Sequence, residues 1–406
     1  MNWKLELKQA FKAVLSKSNS RHRLQNNLSN YDRKRLNILV KHLNNEDYQF
    51  SEWKPSSQPK KDGGQRIIII PPFYDRIVLR TLASYMSKRL KPSFAKVDNI
   101  SFAYQKGKGV REALIQLKNL YASGDVILKV DIRKFFDNID KEIVASLLND
   151  YNIHGFVRSL IDQSLSPKLK INDFYDDALT QINNGIPQGN AISAVLSNLM
   201  LLELDMQSKN NGFKMVRYAD DMVFICKDID EAYSILRWVK NYLKSQRNLE
   251  IHSLSFEKDA KTQIKIDIKK NKLKFLGVEF DGERLLPTKE CQGRFIAKII
   301  SVVKSTVSTA EKIAEINTCI SQWCGYYAFT DIPDTRLRSL SKKINKLCNS
   351  AFNNSAWESV DLLQKIKKFR EKQSRKGLKR ILPPAKFDVP HVVFSLHMEN
   401  GVSKLS

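Results

Sequence analysis

Short strand-like runs that lie next to carboxylates in the sequence constrain the fold of this chain most. Residues 126–130 form a run suited to a central strand, and Asp131 stands at its end. Residues 214–218 and 222–226 form a second strand-like pair around Asp220 and Asp221. A charge beside buried strands is costly without a counter-ion. We therefore expect the three carboxylates to meet around cations.

The residue types also indicate which cations. Neighbouring strands lie about 5 Å apart, and a tight hairpin turn projects two successive Asp side chains outward. Carboxylate oxygens are hard ligands of the kind Mg²⁺ takes. An isolated Asp-Asp is usually a solvated turn pair. The apolar strand that delivers Asp131 favours a metal site over that alternative, and two ions so held can activate a hydroxyl and bind a triphosphate.

The charge balance points to a polyanionic partner. The 406 residues carry 68 Lys and Arg against 43 Asp and Glu, a net charge of +25, and are enough for several lobes. Residues 342–380 alone hold twelve Lys and Arg against three acids. Nucleic acid is the leading candidate. A membrane partner is not expected, because no segment pairs a basic face with an opposite apolar face.

The N-terminus and the cysteines exclude other classes. Charged residues interrupt the first fifteen positions, so no signal-peptide core and no membrane span is expected, and we predict a cytoplasmic protein. Five cysteines lack CxxC spacing and nearby histidines. Reduced, mostly buried thiols are therefore expected rather than zinc ligands or disulfides.

Hydrophobic spacing predicts the other elements. Residues 1–50 suggest two basic helices joined near Ser20, and residues 60–70 a hairpin turn that feeds a buried strand. Further segments are expected to be helical at 75–90, 141–165, 191–206 and 290–355, and β-rich at 273–280.

The order of the motifs resembles the palm domain of reverse transcriptases. VDIRKFFD is followed by a turn at Pro187-Gln188-Gly189, then by YADD, then by a lysine-rich region. The resemblance covers roughly residues 45–330 and implies an α+β fold, the right-hand polymerase with fingers, a palm of antiparallel sheet plus helices, and a helical thumb. The boundaries expected are 1–50 for N-terminal basic helices, 51–125 with part of 141–190 for the fingers, 126–285 for the palm, 286–355 for the thumb and 356–406 for a basic C-terminal extension.

The resemblance assigns roles at the nucleotide. VILKVDIRKFFDNID is similar to motif A, which makes Asp131 and the adjacent Ile132 part of the metal and nucleotide site and Phe136 the steric gate against a ribose 2′-hydroxyl. RYADDMVFI is similar to motif C, with Asp220 and Asp221 as ligands. The cofactor implied is a pair of Mg²⁺ ions, for which Mn²⁺ can substitute.

Three other blocks complete the nucleotide site. KKDGGQRIIII resembles the first fingers block, in which Lys61 and Arg66 would grip the triphosphate. GIPQGNAISAVLSN resembles motif B, so Gln188 and Gly189 would line the nascent base-pair pocket, although the family more often has Ser-Pro after this turn. FEKDAKTQI resembles motif D, which would place Lys261 near the leaving pyrophosphate as a proton donor.

Contacts to nucleic acid are implied elsewhere. Their expected residues are Lys106 and Lys108 near the template, Phe275, Leu276 and Gly277 in the primer grip, Trp323 in the thumb helix, and Lys367, Lys368 and Arg370 in the basic segment. Taken singly, Phe136, Phe275 and Trp323 would be core residues. The lysines at 106, 108 and 261 could each be solvated surface charges.

The resemblance implies an RNA-directed DNA polymerase that uses dNTPs and an RNA template to make cDNA. No endonuclease module follows the thumb, and the blocks typical of retron and diversity-generating enzymes are missing. We therefore expect a stand-alone bacterial enzyme of anti-phage defence that copies a cognate structured non-coding RNA. Two alternatives remain, a template-independent DNA polymerase of the abortive-infection type and a maturase-like RNA-binding factor. The sequence predicts no oligomeric state.

Overall fold

The N-terminal elements pack around one long helix. The structure, a computed structural model, describes residues 2–17, 30–59, 64–257, 259–352 and 357–375. Helix α1 (Trp3–Lys17) packs against α2 (Asn30–Asn44) and, more extensively, against α3 (Phe73–Arg89). Between α2 and α3, β1 (Lys54–Pro59) pairs antiparallel with β2 (Gln65–Ile70).

A four-stranded antiparallel sheet forms the centre of the fold, in the order β4-β5-β3-β6. Its strands are β3 (Val126–Asp131), β4 (Lys214–Tyr218), β5 (Asp221–Cys226) and β6 (Gln263–Lys265). A 3₁₀ turn, Phe135–Asn138, follows β3. The helices before and between the strands are α4 (Lys91–Ala95), α5 (Val110–Leu120), α6 (Lys141–Asp150), α7 (Gly155–Leu165), α8 (Tyr175–Asn184), α9 (Ala191–Asn210) and α10 (Ile229–Arg247).

Burial on both faces explains why these strands read as continuous apolar runs. Side chains alternate across a strand. Leu128 and Phe224 therefore join one core cluster, on the side of the sheet where α9 and α10 pack. Their neighbours Ile127 and Val223 join a second cluster, which includes α5 and the C-terminal helices.

The C-terminal part combines a small sheet with four helices. Strands β7 (Leu273–Phe275), β8 (Val278–Phe280) and β9 (Leu285–Pro287) form an antiparallel sheet. Helix α12 (Thr309–Tyr327) packs on α11 (Lys289–Lys304) and α14 (Leu362–Arg375). Helix α13 (Asp334–Ala351) contacts α11 and α14. A Ser308–Glu311 capping box starts α12.

These elements confirm the predicted α+β class, with antiparallel sheets and a helical C-terminal part. The two N-terminal helices, the hairpin, the strands around the carboxylates and the later helices are present, whereas α4, α5, α8 and α10 were not predicted. Ser20 and the turn at 60–63 lie outside the described residues. The domain boundaries stay predictions.

The structure also describes the cysteines and the length of the helices. All five cysteines are buried, as expected, and free. Within the part of the chain that the structure describes, no helix is both long enough and apolar enough to cross a membrane.

Candidate active site

Strand register brings the three predicted carboxylates together. Asp131 ends β3 and pairs directly with Asp221, which begins β5. Residues that face each other on antiparallel strands have Cβ atoms about 4.5–5.5 Å apart. Asp220 lies in the two-residue connection between β4 and β5. One end of the central sheet therefore carries all three acids, as the sequence predicts.

The backbone of Asp131 is fixed by the segment that follows α10. Its N–H donates to Thr262 Oγ1 at 3.4 Å, and its carbonyl accepts from the N–H of His252 at 2.9 Å. Thr262 is itself buried and precedes β6, which pairs with β3. His252 and Thr262, the latter within the predicted motif D, are thus attached to the end of β3.

Lys261 extends its ammonium group into this acidic cluster. Its Nζ lies 2.9 Å from Asp131 Oδ2. Burial alone would lower the pKa of Lys261, but the carboxylate of Asp131 and, next, those of the Asp220–Asp221 pair outweigh burial and raise it. Three negative charges therefore act on one cationic position, and the predicted role of Lys261 at the leaving pyrophosphate stays a prediction.

His252 is a site residue that the motifs did not indicate. Its Nε2 lies 3.9 Å from Asp131 Oδ1. Burial lowers the pKa of His252, and the negative charge of Asp131 only partly offsets this effect. An isolated β-bridge between Ile132 and Ile251 places the next residue, His252, beside Asp131. No local sequence pattern reveals this long-range contact.

The donor set fits divalent cations. The carboxylates present hard oxygen ligands at the position that an ammonium group now occupies. In the described ranges no three His, Cys, Asp or Glu side chains are already arranged around one point as metal ligands. The side chain of Lys261 is 54% exposed, so it can move toward solvent and release Asp131. Ile132 is buried, which leaves its backbone carbonyl as the atom to offer.

The predicted nucleotide-pocket residues are neighbours. Phe136 is half-buried in the 3₁₀ turn after β3, whereas Phe135 lies in the core. Asp137 Oδ1 accepts a hydrogen bond from Gln188 Nε2 at 2.8 Å. Gly189 has φ +103°, a region that favours glycine and explains the residue in this turn.

A buried guanidinium supports the hairpin that carries Asp220 and Asp221. Arg217 Nη1 donates to the carbonyl of Ala219 at 2.9 Å and to Asn198 Oδ1 at 3.1 Å. Ala219 has φ +56°, which is unfavourable for a residue with a Cβ and is held by its surroundings. The motifs did not single out Arg217, although an arginine inside an apolar strand was a usable signal.

Comparison with known families decides the identity of the site. The sequence matches the family described as "Reverse transcriptase (RNA-dependent DNA polymerase)" over residues 58–280, more than half of the chain and all three carboxylates. The chain belongs to the reverse transcriptase family. The predicted membership of the reverse transcriptase family is thereby confirmed, and reverse transcriptases as a family use divalent metal ions.

Several curated proteins resemble this reverse transcriptase. The Retron Ec48 reverse transcriptase of Escherichia coli is 23% identical over 279 residues, 65% of this chain and 62% of its own. The Retron Mx162 enzyme of Myxococcus xanthus is 27% identical over 41% of this chain and 34% of its own. The putative COX1/OXI3 intron 2 protein of Saccharomyces cerevisiae is 25% identical over 59% of this chain and 29% of its own. The chain thus spans less than a third of that yeast relative and less than two thirds of either retron enzyme.

Solved structures give only a distant likeness. A telomerase from Candida albicans in complex with a telomeric RNA fragment has a TM-score of 0.41 and 11% identity, covering 84% of this chain and 66% of its own. The apo telomerase from Candida tropicalis has a TM-score of 0.43 and 12% identity, covering 82% and 68%. These scores are too low to support an inference.

The predicted primer-grip and thumb contacts include side chains that are buried in the core of the protein. Phe275, Leu276 and Trp323 are buried, and Trp323 stacks on Phe295 with ring centroids 4.8 Å apart. Leu276 and Gly277 form the β7–β8 turn with φ of +50° and +79°. Contact of the three buried side chains with nucleic acid would require that they leave the core.

The predicted basic contacts fall into two groups. Lys106, Lys367 and Lys368 are exposed. The ammonium of Lys108 instead donates to the carbonyl of Ser101 at 2.9 Å and lies 2.9 Å from Asp98.

The other two basic positions also differ. Arg370 donates to the carbonyls of Ala328 and Thr330 at 2.9 and 2.8 Å and so ties α14 to the end of α12. Arg66 is partly buried on β2, and Lys61 lies outside the described residues.

Proposed function

We propose that this protein copies an RNA template into complementary DNA from dNTPs by two-metal nucleotidyl transfer. The observation that carries the proposal is the direct cross-strand pairing of Asp131 with Asp221, with Asp220 beside them and the Lys261 ammonium in their field. If Asp220 and Asp221 were only a solvated turn pair, they would not need a third carboxylate from a strand more than eighty residues away in the chain.

The residues would divide the reaction between them. Two bound Mg²⁺ or Mn²⁺ ions would activate the primer 3′-hydroxyl and neutralise the triphosphate. Asp131, Asp220 and Asp221, with the carbonyl of Ile132, would hold them. Lys261, whose ammonium lies beside these acids, would donate a proton to the leaving pyrophosphate.

Nucleotide selection would fall to the residues beside the acids. The ring of Phe136 would exclude a ribose 2′-hydroxyl, and Gln188 with Gly189 would line the base-pair pocket. Arg66 and Lys61 would hold the triphosphate from β2 and the turn before it.

We further propose that a cognate structured non-coding RNA binds the basic C-terminal helices, and that the enzyme acts in anti-phage defence in the cytoplasm. Helices α13 and α14 turn their apolar residues inward and expose lysines, namely Lys342, Lys343, Lys346, Lys367 and Lys368. Such clustered charge binds phosphates by releasing counter-ions. Two relatives are retron enzymes, although the blocks typical of retron enzymes are absent from this chain.

Primer extension on a defined RNA template with Mg²⁺ and dNTPs tests the activity. The wild type should yield DNA complementary to the template, and Asp220→Ala with Asp221→Ala should abolish synthesis while RNA binding persists. Asp176→Ala with Asp177→Ala, an exposed acid pair on α8, is the matched control and should keep activity. Product of random sequence would identify a template-independent polymerase, and RNA binding without synthesis by the wild type would identify an RNA-binding factor.

The RNA partner has its own test. A discrete RNA should co-purify with the protein, and Lys367→Ala with Lys368→Ala should weaken its binding. The slope of the logarithm of the binding constant against the logarithm of the salt concentration should fall in magnitude by about one to two. An unchanged slope, or no discrete RNA in the purified protein, would contradict a cognate RNA on α14 without affecting the polymerase proposal.

A further inference from the structure

Asp137 joins two glutamines at the edge of the nucleotide pocket. Its Oδ1 accepts hydrogen bonds from Gln181 Nε2 at 2.7 Å and from Gln188 Nε2 at 2.8 Å. Gln181 belongs to α8, and Gln188 to the turn before α9. A carboxylate accepts only, so both amides must turn their NH₂ groups toward it. The carboxylate therefore fixes the rotation of both side chains.

The orientation of Gln181 has a cost. Its Oε1 is buried, and the described residues offer that oxygen no hydrogen-bond partner. A buried acceptor without a partner is destabilising. The bond to the charged carboxylate of Asp137 therefore outweighs the lost bond of Oε1, and the arrangement favours a fixed geometry over full hydrogen bonding.

The backbone between the glutamines closes on the Phe136–Asp137 peptide. Ile186 N–H donates to the carbonyl of Phe136 at 2.9 Å. A Cβ added at Gly185 would stand 2.3 Å from that carbonyl oxygen, so only glycine allows this approach. Phe136 and Gln188 are thus held in one unit.

The same unit reaches the hairpin that carries Arg66. The N–H of Ile69, on β2, donates to the carbonyl of Gln188 at 3.2 Å. A shift of Gln188 would therefore be transmitted to β2 as well as to the turn of Phe136.

We propose that Asp137 and Gln181 are positioning residues that set nucleotide discrimination by fixing Phe136 and Gln188. The inference rests on the proposed polymerase function, in which Phe136 and Gln188 face the nucleotide. Neither Asp137 nor Gln181 needs to touch the substrate. Loss of the hydrogen bond between them would free the ring of Phe136 and the amide of Gln188. The discrimination between deoxyribose and ribose should then weaken more than the rate of nucleotide addition falls.

The test compares kcat and KM for one dNTP and its matching rNTP in primer extension. Gln181→Met removes the donor but keeps the length of the side chain, and Asp137→Asn removes the charge and replaces one acceptor oxygen with an NH₂ donor. Each should lower the dNTP-over-rNTP ratio of kcat/KM about tenfold, the factor expected for one hydrogen bond to a charged group, mainly through a lower KM for the rNTP. Asn183→Ala, an exposed change on the same helix, should leave the ratio unchanged.

Two outcomes separate this inference from the proposed function. If both substrates lose kcat/KM by one common factor, Asp137 and Gln181 are structural only and the inference fails. If neither the wild type nor Asn183→Ala incorporates any nucleotide, the polymerase proposal fails instead. Should Gln181→Met not fold, Asp137→Asn decides alone, because it is nearly isosteric.

Discussion

Arg217 and Asp205 form an ion pair in the interior, with Arg217 Nε 2.7 Å from Asp205 Oδ1 and side-chain exposures of 1% and 0%. The same guanidinium supports the carbonyl of Ala219 at the catalytic hairpin. Strand β4 is thereby joined to helix α9 beneath the acids.

Arg217→Met should lower the free energy of unfolding by about 3–5 kcal/mol, because it leaves Asp205 buried without a counter-charge. Denaturant unfolding followed by circular dichroism measures the change. Adding Asp205→Leu should recover part of the loss. Lys269→Met, which removes a solvent-exposed pair with Glu283, should cost less than about 1 kcal/mol. Equal losses in the two single variants would argue against the interior pair.

Phe136→Ala should admit ribonucleotides. Removing the half-buried ring opens space where a 2′-hydroxyl would lie, so kcat/KM for rNTPs should rise toward that for dNTPs. Steady-state primer extension gives both values. Phe369→Ala, a partly buried phenylalanine of α14, serves as the control. An unchanged ratio in Phe136→Ala would show that this ring only packs.

Glu290→Gln should reduce the acid sensitivity of the fold. A hydrogen bond from Lys274, 2.9 Å away, lowers the pKa of Glu290 from 4.5 to about 2. A carboxyl whose folded pKa is lowered stabilises above its unfolded pKa, and that stability is lost as pH falls from 4.5 toward 2. The pair is partly exposed, so the effect should stay below about 1 kcal/mol.

Unfolding of both proteins from about pH 6 down to about pH 2, which includes the whole titration, measures that effect. The difference between wild type and Glu290→Gln should be largest at the upper end and shrink on acidification. A difference that grows as pH falls would have the wrong sign.

Gly277→Ala should destabilise the β7–β8 turn by more than backbone strain alone. Both Gly277 and Gly212 have positive φ, +79° and +72°. A Cβ at Gly277 would lie 3.0 Å from Cys291 Sγ, whereas nothing lies within 4 Å at Gly212. Gly212→Ala should therefore cost about 1–2 kcal/mol, and Gly277→Ala about 1 kcal/mol more. Equal losses of stability for the two variants in thermal unfolding would show that the Cys291 side chain moves away from the added Cβ at no cost.

The sequence revealed the strands that carry the three acids because their apolar runs are continuous and lie next to acids, a pattern that strands buried on both faces produce. It did not reveal His252 or the partners of Arg217, since those contacts join elements distant in the chain. Trp323 shows why a family motif alone does not assign a contact. An aromatic residue in such a motif can equally line a core, and the packing of Trp323 against Phe295 is visible only in the structure.

The pairing of Asp131 with Asp221 makes spacing as important as residue type. A strand turns successive side chains to opposite faces, so slippage by one position would send one carboxylate to the far side of the sheet. A single-residue insertion within β3 or β5 would therefore be as damaging as losing an aspartate. Apolar exchanges at Leu128 or Phe224 would only alter packing.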